Sequence, residues 1–198
     1  MILRRAAYFE LRADHYGRPF DDGIIRALLG AGFAVDIFAP AGCLPQDLYD
    51  ERVRRLDVEY RRSWLQSNLR RGRWRGYDLF LGTADLPMAF AGTLASVAGR
   101  PVVTACDEIY LGGYQGAATH YWKPIVRWAM RRSAFTIITD EVRIPLQRAY
   151  AGLSARHQFE QYPSCYATDY DGPSREEARQ TLGIGEEEVV VSVTGAPG

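Results

Sequence analysis

Apolar runs of four to eight residues alternate along this chain with stretches of helical periodicity. The most regular stretch is Tyr77–Tyr110, with apolar runs at Asp78–Gly82 and Pro101–Cys106 and a small-residue helix pattern over Pro87–Ala98 between them. Two apolar strands joined by a helix of that length form a βαβ crossover, whose strands lie parallel and covered on both faces. The same logic extends in both directions. Ala6–Leu11 is a weaker first strand, and Arg12–Phe20 is a loop. Asp21–Ala31 has a helix stripe of Ile24, Ile25, Leu28 and Leu29, with Asp21 or Asp22 as its cap and Gly30 and Gly32 as its stop. Phe33–Ala39 is a second strand and Arg52–Tyr60 a short third.

Beyond the crossover, Leu111–Thr119 is glycine-rich, and His120–Arg132 is an amphipathic helix with Trp122, Ile125, Val126, Ala129 and Met130 on its apolar side. Ala134–Thr139 is a buried strand. Asp140–Tyr150 starts a helix capped by Asp140, with Pro145 as a kink or false start, and Gln158–Tyr162 is a last short strand. The pattern predicts an α/β fold: an open, doubly wound, mostly parallel sheet with helices on both faces, a Rossmann-like half. The G-x-G-x-x-G fingerprint is absent, so a dinucleotide site of the usual kind is not expected.

Composition shifts after residue 162. Pro163–Pro173 looks like a linker, and Ser174–Leu182 is a short helix with a capping-box pattern in Ser174 and Glu177. Glu188–Thr194 is a strong strand followed by Gly195-Ala196-Pro197-Gly198. The expected organisation is a domain over 1–162, a linker and short helix over 163–187, and the first strand of a truncated second domain over 188–198. A strand followed by G-A-P-G also resembles the opening of a phosphate loop, but the Lys-Ser/Thr that completes one is not present.

Charge changes the picture only locally. The formal net charge is zero, so nucleic acid is not an expected partner. Yet Arg61–Arg75 holds six arginines and no acid. Arg61, Arg62, Arg70, Arg71, Arg73 and Arg75, with Trp64 and Trp74, form a candidate surface for anionic lipid headgroups, against the plainer reading of a solvated helix face. No run of about 18 apolar residues occurs, and Cys43, Cys106 and Cys165 are far apart and lack zinc spacing. Free thiols in a reducing compartment, no metal, and a cytoplasmic protein peripheral to the inner face of a membrane are the expectations.

In an open parallel sheet, ligands bind beyond the carboxyl ends of the strands. Asp85 follows one predicted strand, Asp107 and Glu108 the next, and Asp140 and Glu141 another. Carboxylates accept hydrogen bonds from hydroxyl donors, while capping of the next helix is the plain alternative for Asp85 and Asp140. His15, Tyr16 and Arg18 lie in the loop after the first strand, and Tyr110, Tyr114 and Gln115 in the glycine-rich segment. These residues suit hydrogen bonding, contact with a phosphate, and stacking on a ligand face.

Four stretches in this order carry a family resemblance: AGFAVDIFAP, RPVVTACDE, FTIITDEVRIPLQRAY, and YPSCYATDYDGPSREEARQTLGIGEEEVVVSVTG. The chain resembles the N-terminal half of a GT-B-fold glycosyltransferase of family 4 (group 1). That resemblance implies retaining transfer of a sugar from a nucleotide-sugar donor to a sugar or lipid-linked acceptor. The acceptor would be held by this half, and the donor by a C-terminal domain of the same protein. No cofactor or metal is implied in this half, and this fragment alone would be inactive. Asp107 becomes the catalytic candidate, with His15, Tyr16, Arg18, Asp85, Glu108, Tyr110, Tyr114, Gln115 and Glu141 as acceptor-binding residues. Cys106 stands where the family often has His, Ser164-Cys165 where it has Asn-Gly, and ADHYGRPF where it has a Gly-Gly loop. A non-catalytic module of the same fold that binds a nucleotide or polyol is the alternative.

Overall fold

A computed structural model describes residues 4–10, 18–41, 50–106, 118–161 and 174–185. Seven strands, β1 (Arg4–Phe9), β2 (Phe33–Ala39), β3 (Val53–Asp57), β4 (Leu79–Thr83), β5 (Val102–Cys106), β6 (Thr136–Ile138) and β7 (Phe159–Gln161), form one sheet in the order β3-β2-β1-β4-β5-β6-β7. Every pair is parallel. This is the open, Rossmann-like α/β sheet that the pattern of apolar runs predicts. The helices are α1 (Arg18–Gly30), α2 (Arg62–Ser67), α3 (Arg71–Trp74), α4 (Asp85–Ala98), α5 (Ala118–Arg132), α6 (Ile144–Ala151) and α7 (Arg175–Leu182).

Burial follows the strand period of two. Ala7, Phe9, Phe38, Phe80 and Val102 point to one side, where they meet Trp74 and Tyr77 and the α4 residues Phe90, Ala91, Leu94 and Ala95. Ala6, Tyr8, Val35, Ile37, Leu81, Val103 and Ala105 point to the other, against Ile24, Ile25 and Leu28 of α1. A third cluster joins Met88 and Ala89 to Cys106, Val126, Met130 and Ala151. Helices α4 and α5 approach closely because Gly92 has no side chain: a Cβ there would lie 2.4 Å from that of Ala129.

Several boundaries differ from expectation for local reasons. β1 starts at Arg4, ahead of the apolar run, because Arg4 and Arg5 align with Phe33 and Ala34 of β2 and the Arg5 N–H donates to Asp78 Oδ2 at 3.0 Å. α4 starts two residues before Pro87, which a first turn tolerates because its N–H has no helical partner there. Asp140 caps a 3-10 turn over Glu141–Arg143, accepting from the Val142 N–H at 3.0 Å, and α6 follows. Pro145 sits in the first turn of α6, so it starts that helix rather than kinking it.

The chain divides into two compact units, Met1–Tyr166 and Ala167–Gly198. In the second, α7 carries the full capping box: Glu177 N–H donates to Ser174 Oγ at 3.2 Å, and the Ser174 N–H donates to Glu177 Oε2 at 2.7 Å. The strand expected at Glu188–Thr194 lies outside the described residues. Among the described residues no helix is long and apolar enough to cross a membrane.

Candidate functional site

The connections from β1 and β4 run in opposite directions, β1 toward β2 and β4 toward β5. In an open parallel sheet, the point where the strand order reverses is where ligands bind, beyond the carboxyl ends of the strands. The register pairs Phe9 with Gly82 and so brings Glu10 level with Thr83. Glu10 is 6% exposed. Its Oε2 accepts from the Thr83 hydroxyl and, at 3.3 Å, from the Tyr8 hydroxyl. Its N–H donates to the Phe38 carbonyl at 2.9 Å, and its carbonyl accepts from the Tyr60 hydroxyl at 2.9 Å. That Tyr60 hydroxyl also lies 3.0 Å from the Phe38 carbonyl oxygen, tying β3's exit to β1 and β2. Burial, then the charge of Glu10, pushes the Tyr60 phenol well above its ordinary pKa, so it stays a neutral donor.

The turn after β4 lies at the same edge. A Cβ on Gly82 would lie 2.5 Å from the Pro87 carbonyl oxygen and 2.7 Å from Met88 Cα, so glycine is what lets α4 fold back so tightly. Ala84 pays for that turn with φ 60 and ψ −179, a region suited to glycine, and it is the only non-glycine residue with positive φ among the described residues. It is also the N-cap of α4 and supplies no side-chain cap. A buried carboxylate, two hydroxyls and a strained turn thus converge at the edge where this fold receives ligands.

Three of the residues predicted from sequence to bind an acceptor, Arg18, Asp85 and Glu141, fall within the described residues. Asp85 is the first residue of α4, just after β4, and the N-cap role falls to Ala84 instead. Arg18 opens α1. Glu141 is exposed in the turn after β6, while Asp140 acts as the cap. Asp107 and Glu108 follow β5 directly but lie outside the described residues, as do His15, Tyr16, Tyr110, Tyr114 and Gln115. Cys106, which precedes Asp107, is buried with its Sγ 3.7 Å from the Met88 sulfur. Glu10 and Thr83 escaped the sequence reading, although a lone acid at the end of an apolar run was a usable signal.

The arginine-rich segment needs a correction. Trp74 is fully buried among Phe9, Phe38, Tyr77 and Phe80, with its indole N–H given to the Asn68 carbonyl. It is a core residue and cannot anchor a membrane surface. Trp64 is half-buried and stacks on Phe90 at 5.8 Å. Arg61, Arg62, Arg70, Arg73 and Arg75 are exposed, and Arg71 opens α3. Local composition was misleading because α2 and α3 turn their aromatic side to α4 and leave arginines outside.

A second buried acid lies within the sheet. Asp36 of β2, 2% exposed, accepts from Arg54 Nε and Nη2, both at 2.8 Å, from Arg5 and from the Tyr77 hydroxyl. Burial pushes the carboxyl up, but the bonds from Arg54 and Tyr77 and the two guanidinium charges outweigh it, leaving the carboxyl below its ordinary value. The Tyr77 phenol is raised, by burial first and then by Asp36.

No protein-family model matches the sequence, and no curated protein sequence does. Solved structures do share the fold. Sucrose-phosphate synthase from Thermosynechococcus elongatus is 14% identical with a TM-score of 0.65, the match covering 93% of this chain and 54% of that one. HepE from Anabaena, solved in complex with UDP-glucose, is 13% identical with a TM-score of 0.62, covering 90% of this chain and 50% of that one. A Glycyrrhiza uralensis enzyme complexed with glycyrrhetinic acid 3-O-monoglucuronide is 11% identical with a TM-score of 0.52, covering 81% and 48%. The chain therefore spans about half the length of these neighbours. They are glycosyltransferases of GT-B fold, and at such identities the likeness establishes one thing: this chain has the Rossmann-like α/β fold found in them.

Proposed function

We propose that this chain is the acceptor-binding half of a retaining glycosyltransferase that moves a sugar from a nucleotide-sugar donor to a sugar or lipid-linked acceptor. The observation that carries this reading is the contact of buried Glu10 with Thr83 at the carboxyl edge between β1 and β4, in a fold shared with a protein solved in complex with UDP-glucose. The acids Asp85, Asp107, Glu108 and Glu141 follow β4, β5 and β6 in sequence. In this reading they accept hydrogen bonds from acceptor hydroxyls and align one of them with the donor's anomeric carbon, with Asp107 nearest the chemistry. Such alignment supplies rate by positioning, while charge stabilisation of the leaving nucleotide falls to the C-terminal domain of the same protein. No metal or cofactor has a role in this half.

The test is thermal unfolding of the intact protein against a panel of nucleotide sugars, followed by assay of nucleotide release with candidate acceptors. The reading expects one donor to raise the melting temperature and nucleotide release to depend on an acceptor. It fails if no nucleotide sugar shifts unfolding.

A further inference from the structure

Three hydroxyls and one imidazole form a chain between α5, β5, β6 and the turn into β7. Ser133 Oγ donates to the Met130 carbonyl at 2.8 Å, and Thr104 Oγ1 donates to Ser133 Oγ at 3.3 Å. Thr104 Oγ1 and Thr136 Oγ1 lie 2.9 Å apart, and Thr136 Oγ1 lies 2.9 Å from His157 Nε2. Thr104, Ser133 and Thr136 are buried, and His157 is half-buried. Each hydroxyl has one proton to give, and a carbonyl only accepts. Ser133 therefore gives its proton to Met130, and Thr104 gives its own to Ser133. Thr136 must then donate to Thr104, and His157 must donate to Thr136. The chain has one direction, and it fixes the neutral ring as the tautomer with its proton on Nε2. Among the described residues nothing donates to the remaining lone pair on Nδ1.

One cation holds the same turn. Arg148 of α6 donates to the Ser154 and His157 carbonyls at 2.6 and 3.1 Å, and its guanidinium lies 5.2 Å from the centre of the Phe159 ring. His157 meets that ring edge-on, also at 5.2 Å. β7 has three residues and stands at the edge of the sheet, paired with β6 alone. A strand so short makes few ladder bonds, so the contacts of His157 and Arg148 carry much of its attachment. A proton added at Nδ1 would charge a half-buried ring whose own carbonyl is already bonded to a guanidinium. The other charged groups on the elements packed here are Arg131 of α5, which donates to the Ala151 carbonyl at 3.4 Å, and exposed Arg156 and Glu160. Glu160, next to Phe159 in the strand, points to the opposite face of the sheet. Burial first, then the charge of Arg148, holds the imidazole below its ordinary pKa.

We propose that His157 is a proton-operated latch: neutral, it holds the 152–158 turn and β7 to β6 through Thr136, and protonated, it releases them while the rest of the sheet stays folded. The sign is set by the folded ring binding its proton more weakly than the free one. The latch is therefore complete above about pH 6.5 and is lost as pH falls through the folded value. It stands independently of the transferase reading.

The experiment is hydrogen exchange of the intact protein, read by mass spectrometry at about pH 7.5 and about pH 5.5 and corrected for the intrinsic effect of pH on exchange. The amides of 158–161 should lose protection severalfold at the lower pH, while those of β1 and β4 keep theirs. His157→Gln retains a side-chain N–H for Thr136 but does not titrate, so its protection over 158–161 should be equal at the two pH values. Thr136→Val breaks the chain and should lower protection there at both. Imidazole nitrogen shifts at the higher pH, assigned by their loss in His157→Gln, should place the proton on Nε2. Protection over 158–161 that ignores pH in the parent, or that falls as much in His157→Gln, overturns the proposal. So does an equal loss in β1 and β4, which is global unfolding, or a ring protonated on Nδ1. Should His157→Gln fail to fold, parent-like protection in Thr136→Val overturns it instead.

Discussion

Two buried carboxylates lie on neighbouring strands of one sheet and are held in opposite ways. Asp36 sits in mid-strand, with two guanidiniums and a phenol spent on its two oxygens. Glu10 sits one residue past the end of β1 and receives hydroxyls from Tyr8 and Thr83. Cations neutralise a carboxylate and lock it, so Asp36 serves the fold. The hydroxyls donate to Glu10 at the edge where an open parallel sheet binds ligands. The two positions differ in the partners described for them and in place along the strand, and the transferase reading assigns a role in binding to Glu10 alone.

The widest separation should come from removing Asp36. Asp36→Ala leaves Arg5, Arg54 and Tyr77 without their acceptor. Loss of one member of a fully buried pair costs about 3–5 kcal/mol, and here the guanidiniums can regain water because the Arg54 side chain is 59% exposed and that of Arg5 36%. A destabilisation of about 2 kcal/mol in urea unfolding is expected. Because the folded carboxyl lies below its unfolded value, its contribution is complete above about pH 4 and is lost as pH falls through the folded value. Asp36→Asn should accordingly flatten the acid limb of the stability profile. A parent-like acid limb in that variant would remove the charge argument.

The contrast also explains what could be read from sequence. The strands of a parallel sheet are buried on both faces and read as continuous apolar runs, which is why β2, β4 and β5 were legible. An acid inside such a run, as in FAVDIFA, signals a buried network, yet its partners came from β1, from β3 and from Tyr77, and one chain segment cannot reveal them. Glu10 gave the same signal at a strand end. Its partner Thr83 is 73 residues away, and only the strand order brings the two together. Two caps were legible because capping is local, Asp140 and the Ser174–Glu177 box, whereas Asp21 and Asp22, read as the cap of α1, lie inside that helix, which starts at Arg18. Trp74 was misread for the converse reason. Its neighbours in sequence are arginines, while its neighbours in space are aromatic.

Glu10→Gln sharpens the comparison on the functional side. The amide keeps the shape and one acceptor oxygen, and rotation of the Thr83 and Tyr8 hydroxyls can satisfy its new N–H groups, so stability should change by about 1 kcal/mol or less. Under the transferase reading, kcat/KM for the acceptor should drop about tenfold, roughly 1.4 kcal/mol of transition-state stabilisation. Asp36→Asn, assayed where it is folded, should transfer normally. A Glu10→Gln protein that is as unstable as the Asp36→Ala variant but transfers like the parent would make both acids structural. Thr83→Val isolates the hydroxyl contact at nearly constant volume and should cost about 1 kcal/mol.

The smallest expected effect tests the turn between them. Ala84 holds φ 60 and ψ −179, a conformation that costs an alanine roughly 1–3 kcal/mol and glycine almost nothing. Glycine also loses more chain entropy on folding, by roughly 0.5–1 kcal/mol. Ala84→Gly should therefore stabilise the protein by about 1 kcal/mol at most, read as a small rise in melting temperature. The informative measurement is the pairing of that rise with acceptor kinetics. If the strain holds the β4–α4 turn in a geometry that acceptor binding needs, the more stable variant should show a higher KM for the acceptor, because a glycine at that position samples other turns. A rise in stability with unchanged kinetics would assign the strain to the tight return of α4 over Gly82, where Pro87 leaves no room for a side chain, and Glu10 would then act without help from the turn beside it.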